Sequence, residues 1–171
     1  DRAKDGAGEP SLSEMTGKAI DILSKNKKGF VLMVEGGRID HSHHDGNAFH
    51  ALTDTIALSN AVRTAVSKVD LDNTLIIVTA DHSHTFFIQG YPARGNNILG
   101  LIREIGDHGE YEEKPKVDKN KKPMTTLGYS NGPGARTGER PELTQEQVTA
   151  PDYLQESNIP FKSETHGGED V

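Results

Sequence analysis

Two short, uninterrupted apolar runs each lead directly into a cluster of acids and histidines, and this pairing restricts the fold more than any other feature of the 171-residue sequence. Phe30-Val31-Leu32-Met33-Val34 runs into Glu35-Gly36-Gly37-Arg38-Ile39-Asp40-His41-Ser42-His43-His44. Leu75-Ile76-Ile77-Val78 runs into Thr79-Ala80-Asp81-His82-Ser83-His84. Runs this short and continuously apolar predict strands buried on both faces. Each follows a segment of helical spacing. Ser11 and Glu14 offer a capping box, and Met15, Ala19, Ile22 and Leu23 predict an amphipathic helix over 12–25. Ala48, Leu52, Ile56, Ser59, Val62 and Val66 predict a second over 47–68. The order helix, strand, helix, strand predicts an α/β layered core with parallel strands. Thr85-Phe86-Phe87-Ile88 is a third, shorter strand candidate.

The texture changes beyond that core. Residues 1–10 are polar and glycine-containing and read as a loop. From 92 to 160 charged and turn residues dominate, with a lysine-rich stretch at 114–122 and Asn131-Gly132-Pro133-Gly134. This region reads as an irregular insertion packed on the core; a disordered linker is the bland alternative. The expected division is 1–91 as the α/β core, 92–160 as the insertion, and 161–171 as a return to the core. The chain opens with Asp1 and closes just after Glu164-Thr165-His166-Gly167-Gly168-Glu169-Asp170. Ending beside so dense a segment suggests a piece of a longer protein.

Composition narrows the chemistry. With 19 basic and 26 acidic residues the net charge is −7, so a nucleic-acid partner is not expected. No apolar run has the length of a membrane span. There is no cysteine, which removes disulfides and thiolate metal sites.

What remains is carboxylate and imidazole, the donor set of catalytic rather than closed structural zinc sites. Ligands of open α/β sheets bind at the carboxyl ends of strands. Adjacent parallel strands would therefore bring Glu35, Asp40, His44, Asp81 and His82 to one rim. Asp40 and His44 are four apart, so one helical turn would point both at a single ion. Asp81 and His82 can converge from a loop leaving the strand. His166, in a glycine-flanked turn, is a candidate remote ligand. Glu35 has no neighbouring imidazole and suits an oxygen-preferring ion such as magnesium. Taken singly these signals are weak: an Asp-x-x-x-His pair is usually solvated surface, His41-Ser42-His43-His44 could be a surface cluster, and Asp81-His82 could be an Asx turn. Ser42 and Ser83 more often satisfy backbone groups than act as nucleophiles. Two predicted strands that both end in acid–histidine clusters favour a multi-metal rim.

These segments resemble the alkaline phosphatases. PSLSEMTGKAIDIL, GFVLMVEGGRIDHSHHDGNAFHAL, NTLIIVTADHSHTF, GYPARGNNILGL, YSNGPG and ETHGGEDV are similar to family segments in the family's order, from about residue 10 to the end. The resemblance implies a three-layer sandwich with a mainly parallel central sheet, and a crown-like role for the insertion. It implies hydrolysis of phosphate monoesters through a phosphoserine, with two zinc ions and one magnesium ion. Asp40, His44 and His166 would bind the first zinc, Asp81 and His82 the second, and Glu35 magnesium. His41 would tune phosphate binding from the magnesium side, and His84 would fix Asp40 through a ring N–H. The family's nucleophile lies in an Asp-Ser-Ala-type motif, and no such tripeptide occurs here. The catalytic serine is therefore expected in an upstream segment, and the isolated chain is expected to be inactive. A homodimeric parent in the periplasm or at the cell surface also follows from the resemblance.

Two alternatives stand beside it. Sulfatases, phosphodiesterases and cofactor-independent phosphoglycerate mutases share this type of metal rim, although the magnesium site implied by Glu35 is not general among them. The chain could also be a non-catalytic metal-binding module.

Overall fold

The computed structural model describes residue 6 and residues 8–168. Most of the expected loop over 1–10, and Glu169, Asp170 and Val171 of the last motif, lie outside the described residues. The chain is mixed α/β and divides into two compact units, Asp1–Ile39 with Leu52–Thr79, and Asp40–Ala51 with Ala80–Val171.

The first unit is built on helices α1 (Leu12–Leu23) and the larger part of α3 (Ala48–Lys68). The short helix α2 (Arg38–His44) lies between them in sequence. The capping box forms at the start of α1. Ser11 Oγ accepts from the Glu14 N–H at 3.2 Å, and Glu14 Oε2 accepts from the Ser11 N–H at 2.6 Å. Thr16, Gly17 and Ile20 are its buried face. A Cβ on Gly17 would sit 3.2 Å from Lys68 Cε and 3.3 Å from Thr64 Cγ2, so α1 and α3 approach closely there. Lys68 also reaches Asp21 at 2.7 Å.

The two apolar runs correct the sequence reading. Neither 30–34 nor 75–78 forms a strand, and neither is buried on both faces. Val31 is 95% exposed, Met33 84%, Leu75 83% and Ile77 76%. A continuous apolar run states a demand for burial, but a strand needs a hydrogen-bonded neighbour. Among the described residues no strand is paired with either run.

The sheet lies instead in the second unit. It comprises β1 (Phe86–Ile88), β2 (Leu127–Gly132) and β3 (Ser157–Pro160), in the order β1-β2-β3. β1 and β2 are antiparallel, with Phe86 opposite Tyr129; β2 and β3 are parallel, with Tyr129 opposite Ser157. The sheet is thus small and mixed, not the parallel sheet expected from the runs. Region 92–160 is also less irregular than predicted, because it supplies two of these strands and helix α4 (Gln145–Val148). Leu101, Leu143 and Val148 cluster with Tyr153 against them, and Ile102 and Leu127 are buried in the same unit. Arg140 ties the charged stretch down: its guanidinium donates to Asp118 Oδ2, both Glu156 oxygens and the Pro123 carbonyl. Gly134 has a steric reason, since a Cβ there would fall 1.8 Å from the Gln155 carbonyl oxygen.

Candidate metal centre

The site begins with how α2 ends. The Gly46 N–H donates to the His43 carbonyl at 2.8 Å and the Asn47 N–H to the Ser42 carbonyl at 2.9 Å. This is the paired bonding of a Schellman motif, and Gly46 takes the left-handed conformation it requires, at φ 69°. Asp40 and His44 consequently share one face of a single complete turn. His44 Nε2 lies 3.3 Å from Asp40 Oδ1.

Other histidines close on the same carboxylate from the segment preceding β1. His84 Nε2 lies 3.3 Å and His82 Nε2 3.8 Å from Asp40 Oδ1. His166 arrives from the far end of the chain, its ring stacked on His82 at 3.8 Å between centroids. One ligating atom from each of Asp40, His82, His84 and His166 lies within 4.8 Å of all the others. His44, His84 and Glu164 meet the same criterion. Ligands about 2.0–2.1 Å from a tetrahedral ion are separated by roughly 3.4 Å, so the 3.3 Å spacings suit shared coordination. The donors are nitrogen and carboxylate oxygen only. Side-chain exposures of 38% for Asp40 and 21% for His82 leave the group open to a ligand.

The wall behind it is built from β1 and β2. His43 stacks on His84 at 4.5 Å and packs against Phe86 and Tyr129. Burial pushes the His43 ring down to about 4, so it is neutral at pH 7, and its Nδ1 shares a 2.7 Å hydrogen bond with the Tyr129 hydroxyl. Burial also pushes the Tyr129 phenol well above its ordinary value. Tyr129 and Asn131 alternate onto one face of β2. Asn131 brackets the strip leading to His166: its Oδ1 accepts from the Thr165 N–H at 2.8 Å and its Nδ2 donates to the Thr165 carbonyl at 2.9 Å.

Of the residues singled out in the sequence, Asp40, His44, Asp81, His82, His84 and His166 all belong to the second unit. Asp81 is the outermost: its side chain is 87% exposed, and its Oδ2 stands 3.4 Å from His82 Nε2. His41 is exposed on α2. Glu35 belongs to the first unit, where it is exposed beside Gly37. Sequence reasoning passed over Glu164, His43, Tyr129 and Asn131. Glu164 stood two residues from a histidine already singled out. A cavity of about 540 Å³ lined by Arg136, Leu143 and Tyr153 includes none of the cluster residues. No histidine lines it.

Comparison with known proteins identifies the family of the chain. The family model described as alkaline phosphatase matches residues 1–171. The tissue-nonspecific alkaline phosphatases of Felis catus and Homo sapiens are each 46% identical over 165 residues, covering 95% of this chain. The membrane-bound alkaline phosphatase of Bombyx mori is 43% identical over 171 residues, covering 98%. The chain spans 29% of the length of each of these relatives.

Proposed function

Because the chain belongs to the alkaline phosphatase family, we propose that it supplies the metal-binding residues of an enzyme hydrolysing phosphate monoesters through a phosphoserine, with two zinc ions and one magnesium ion. The observation that carries this reading is the Asp40 carboxylate, with three imidazole nitrogens within 3.8 Å of one oxygen and no thiolate in the chain.

Asp40, His44 and His166 would hold the first zinc, Asp81 and His82 the second, and Glu35 the magnesium. Metal ions bound there supply charge stabilisation for the entering and leaving oxygens of an in-line phosphoryl transfer. The chain's own residues set the positions. Asp40 and His44 are fixed to one another by the turn of α2, and His82 and His166 are held ring on ring. His84 orients Asp40 from the buried side, and His41 tunes phosphate binding from the magnesium side. No nucleophile is assigned within the chain. The attacking serine would come from a part of the enzyme outside these residues, in an Asp-Ser-Ala-type motif.

The exposed runs 30–34 and 75–78 would be central strands of a three-layer sandwich, completed by other parts of the enzyme. On this reading 1–91 belongs to the core, 92–160 forms the crown-like insertion and 161–171 returns the last ligand. The enzyme would be a homodimer outside the cytoplasm or at the cell surface. No described helix is long and apolar enough to cross a membrane.

The test compares a phosphate monoester, a diester and a sulfate ester as substrates, for the 171-residue chain and for the longer polypeptide containing it. The expected result is monoester turnover by the longer polypeptide and none by the chain alone. Metal-dependent turnover by the chain, or a preference for the diester or sulfate ester, would contradict the reading.

A further inference from the structure

Gly134, in the turn that follows β2, has no room for a side chain, and the atoms that fill the space are backbone. A Cβ there would fall 1.8 Å from the Gln155 carbonyl oxygen, 2.7 Å from its carbon and 3.3 Å from the Leu154 carbonyl oxygen. No change of rotamer could relieve such a contact. The same stretch of backbone holds the end of α2: the Gln155 N–H donates to the Gly46 carbonyl at 2.9 Å. Pro133 meets Gly46 as well, since a Cβ on Gly46 would sit 3.2 Å from its Cγ and 3.3 Å from its Cδ. Asn47 Nδ2 donates to the Pro151 carbonyl at 2.8 Å, and the Glu164 N–H donates to the His44 carbonyl at 2.8 Å. Gly46, Asn47, Gly134 and Gln155 are all buried. The segments 133–134 and 151–155 thus form a socket for the residues that end α2.

We propose that Gly134 is a positioning residue of the metal centre: its missing side chain lets the Gln155 backbone come close enough to hold Gly46, and so fixes where α2 presents Asp40 and His44. The helical turn sets these two residues relative to each other. It does not set them relative to His82, His84 and His166, which arrive from other segments; that depends on how the end of α2 is docked. Metal coordination tolerates distance errors of only about 0.2 Å. An alanine at 134 demands far more, because its Cβ contact must open from 1.8 Å to at least 3.0 Å, shared between the turn and the Gln155 backbone. Even half of that movement, taken by Gln155 along its bond to Gly46, would lengthen 2.9 Å to about 3.5 Å, the limit of a hydrogen bond. The consequence for zinc rests on the metal-binding reading above; the consequence for the end of α2 does not.

Amide hydrogen exchange of the metal-free 171-residue chain reads the docking of α2 without any ion. Gln155 belongs to no helix or strand, yet its N–H should be protected in the wild type. Gly134→Ala should speed its exchange, and that of the Gly46 and Asn47 amides, by about 10-fold, the size of one lost hydrogen bond. The Thr126 amide, bonded to the Gly100 carbonyl, should keep its protection. Zinc affinity by chelator competition should fall about 10–100-fold in Gly134→Ala, the range for losing a ligand's outer support. Ile102→Val, at a buried position outside the socket, is the control: it should lower the melting temperature and leave both readouts unchanged. A merely structural glycine would behave as that control does. If Gly134→Ala does not fold, Pro133→Ala relaxes the same socket from the Gly46 side and should show both effects more weakly. An unprotected Gln155 amide in the wild type would overturn the proposal, and needs no variant to detect. So would a folded Gly134→Ala chain or, failing that, a Pro133→Ala chain whose amide protection and zinc affinity match the wild type. If the wild-type chain takes up no zinc, the metal reading fails, and the exchange data alone decide whether Gly134 holds the end of α2.

Discussion

Asn131 and Thr165, 34 positions apart, are joined by three hydrogen bonds: the Asn131 amide pairs with the Thr165 N–H and carbonyl at 2.8 and 2.9 Å, and its Oδ1 also accepts from the Thr165 hydroxyl at 3.3 Å. Asn131 is buried and sits on β2, so the strip carrying His166 is anchored to the sheet by a side chain. Asn131→Ala removes all three bonds, at about 1–2 kcal/mol, since water can reach the exposed Thr165. Asn131→Asp keeps the acceptor and loses the donor, and should fall between. Denaturant unfolding gives the order wild type, Asn131→Asp, Asn131→Ala. Zinc affinity should follow that order, because His166 is the next residue after Thr165.

Gly46 stops α2 at the point that keeps Asp40 and His44 on one turn. In Gly46→Ala an L-residue would occupy φ 69° with its Cβ 3.2 Å from Pro133 Cγ. The left-handed conformation alone costs about 1–2 kcal/mol. Thermal unfolding should show at least that loss, with no change in the helix content of α1 and α3 by circular dichroism. An alanine variant as stable as the wild type would mean that the Schellman turn is not required.

The helices were legible because their signals are local. Ser11 with Glu14 and the apolar spacing of 12–23 and 48–68 specify helices without help from distant residues. The α2 turn was legible only as the spacing of Asp40 and His44. The two apolar runs misled, since apolarity records what a segment would bury and not whether a partner strand is present. β2 was missed because it mixes Gly128, Ser130, Asn131 and Gly132 with Leu127 and Tyr129, and its pairing partners lie roughly 30–40 residues away on either side. Glu164 was missed for a related reason: a carboxylate's role is decided by His84 and Thr85, which sequence distance conceals.

Arg140 provides a pH test outside the centre. Backbone bonding from Lys122, then the Arg140 guanidinium, hold the Asp118 carboxyl below its ordinary value. A depressed carboxyl contributes stability that is fully present above the unfolded value of about 3.9, and this is lost as pH falls through the folded value. Asp118→Asn should therefore melt below the wild type by a constant margin between about pH 5 and 7, and the margin should close below about pH 4. A margin that widened on acidification would show that the Arg140 pairing is not its source.

His82 and His84 should differ in kind when the full enzyme is assayed. On the proposed assignment His82 is a ligand, and His82→Ala should abolish activity. His84 acts on Asp40 from the buried side, so His84→Ala should lose about 10–100-fold and recover partly with added zinc. Equal defects that zinc does not relieve would show that the two roles are wrongly assigned.

The central claim is that the Asp40-centred cluster holds a metal ion, and zinc titration of the metal-free 171-residue chain against a competing chelator tests it most directly. The account predicts stoichiometric uptake through nitrogen and oxygen ligands, with a loss of more than about 100-fold in Asp40→Ala, since a direct ligand should cost more than its outer partners. Zinc uptake that Asp40→Ala leaves intact, or no uptake by the wild-type chain, would contradict it.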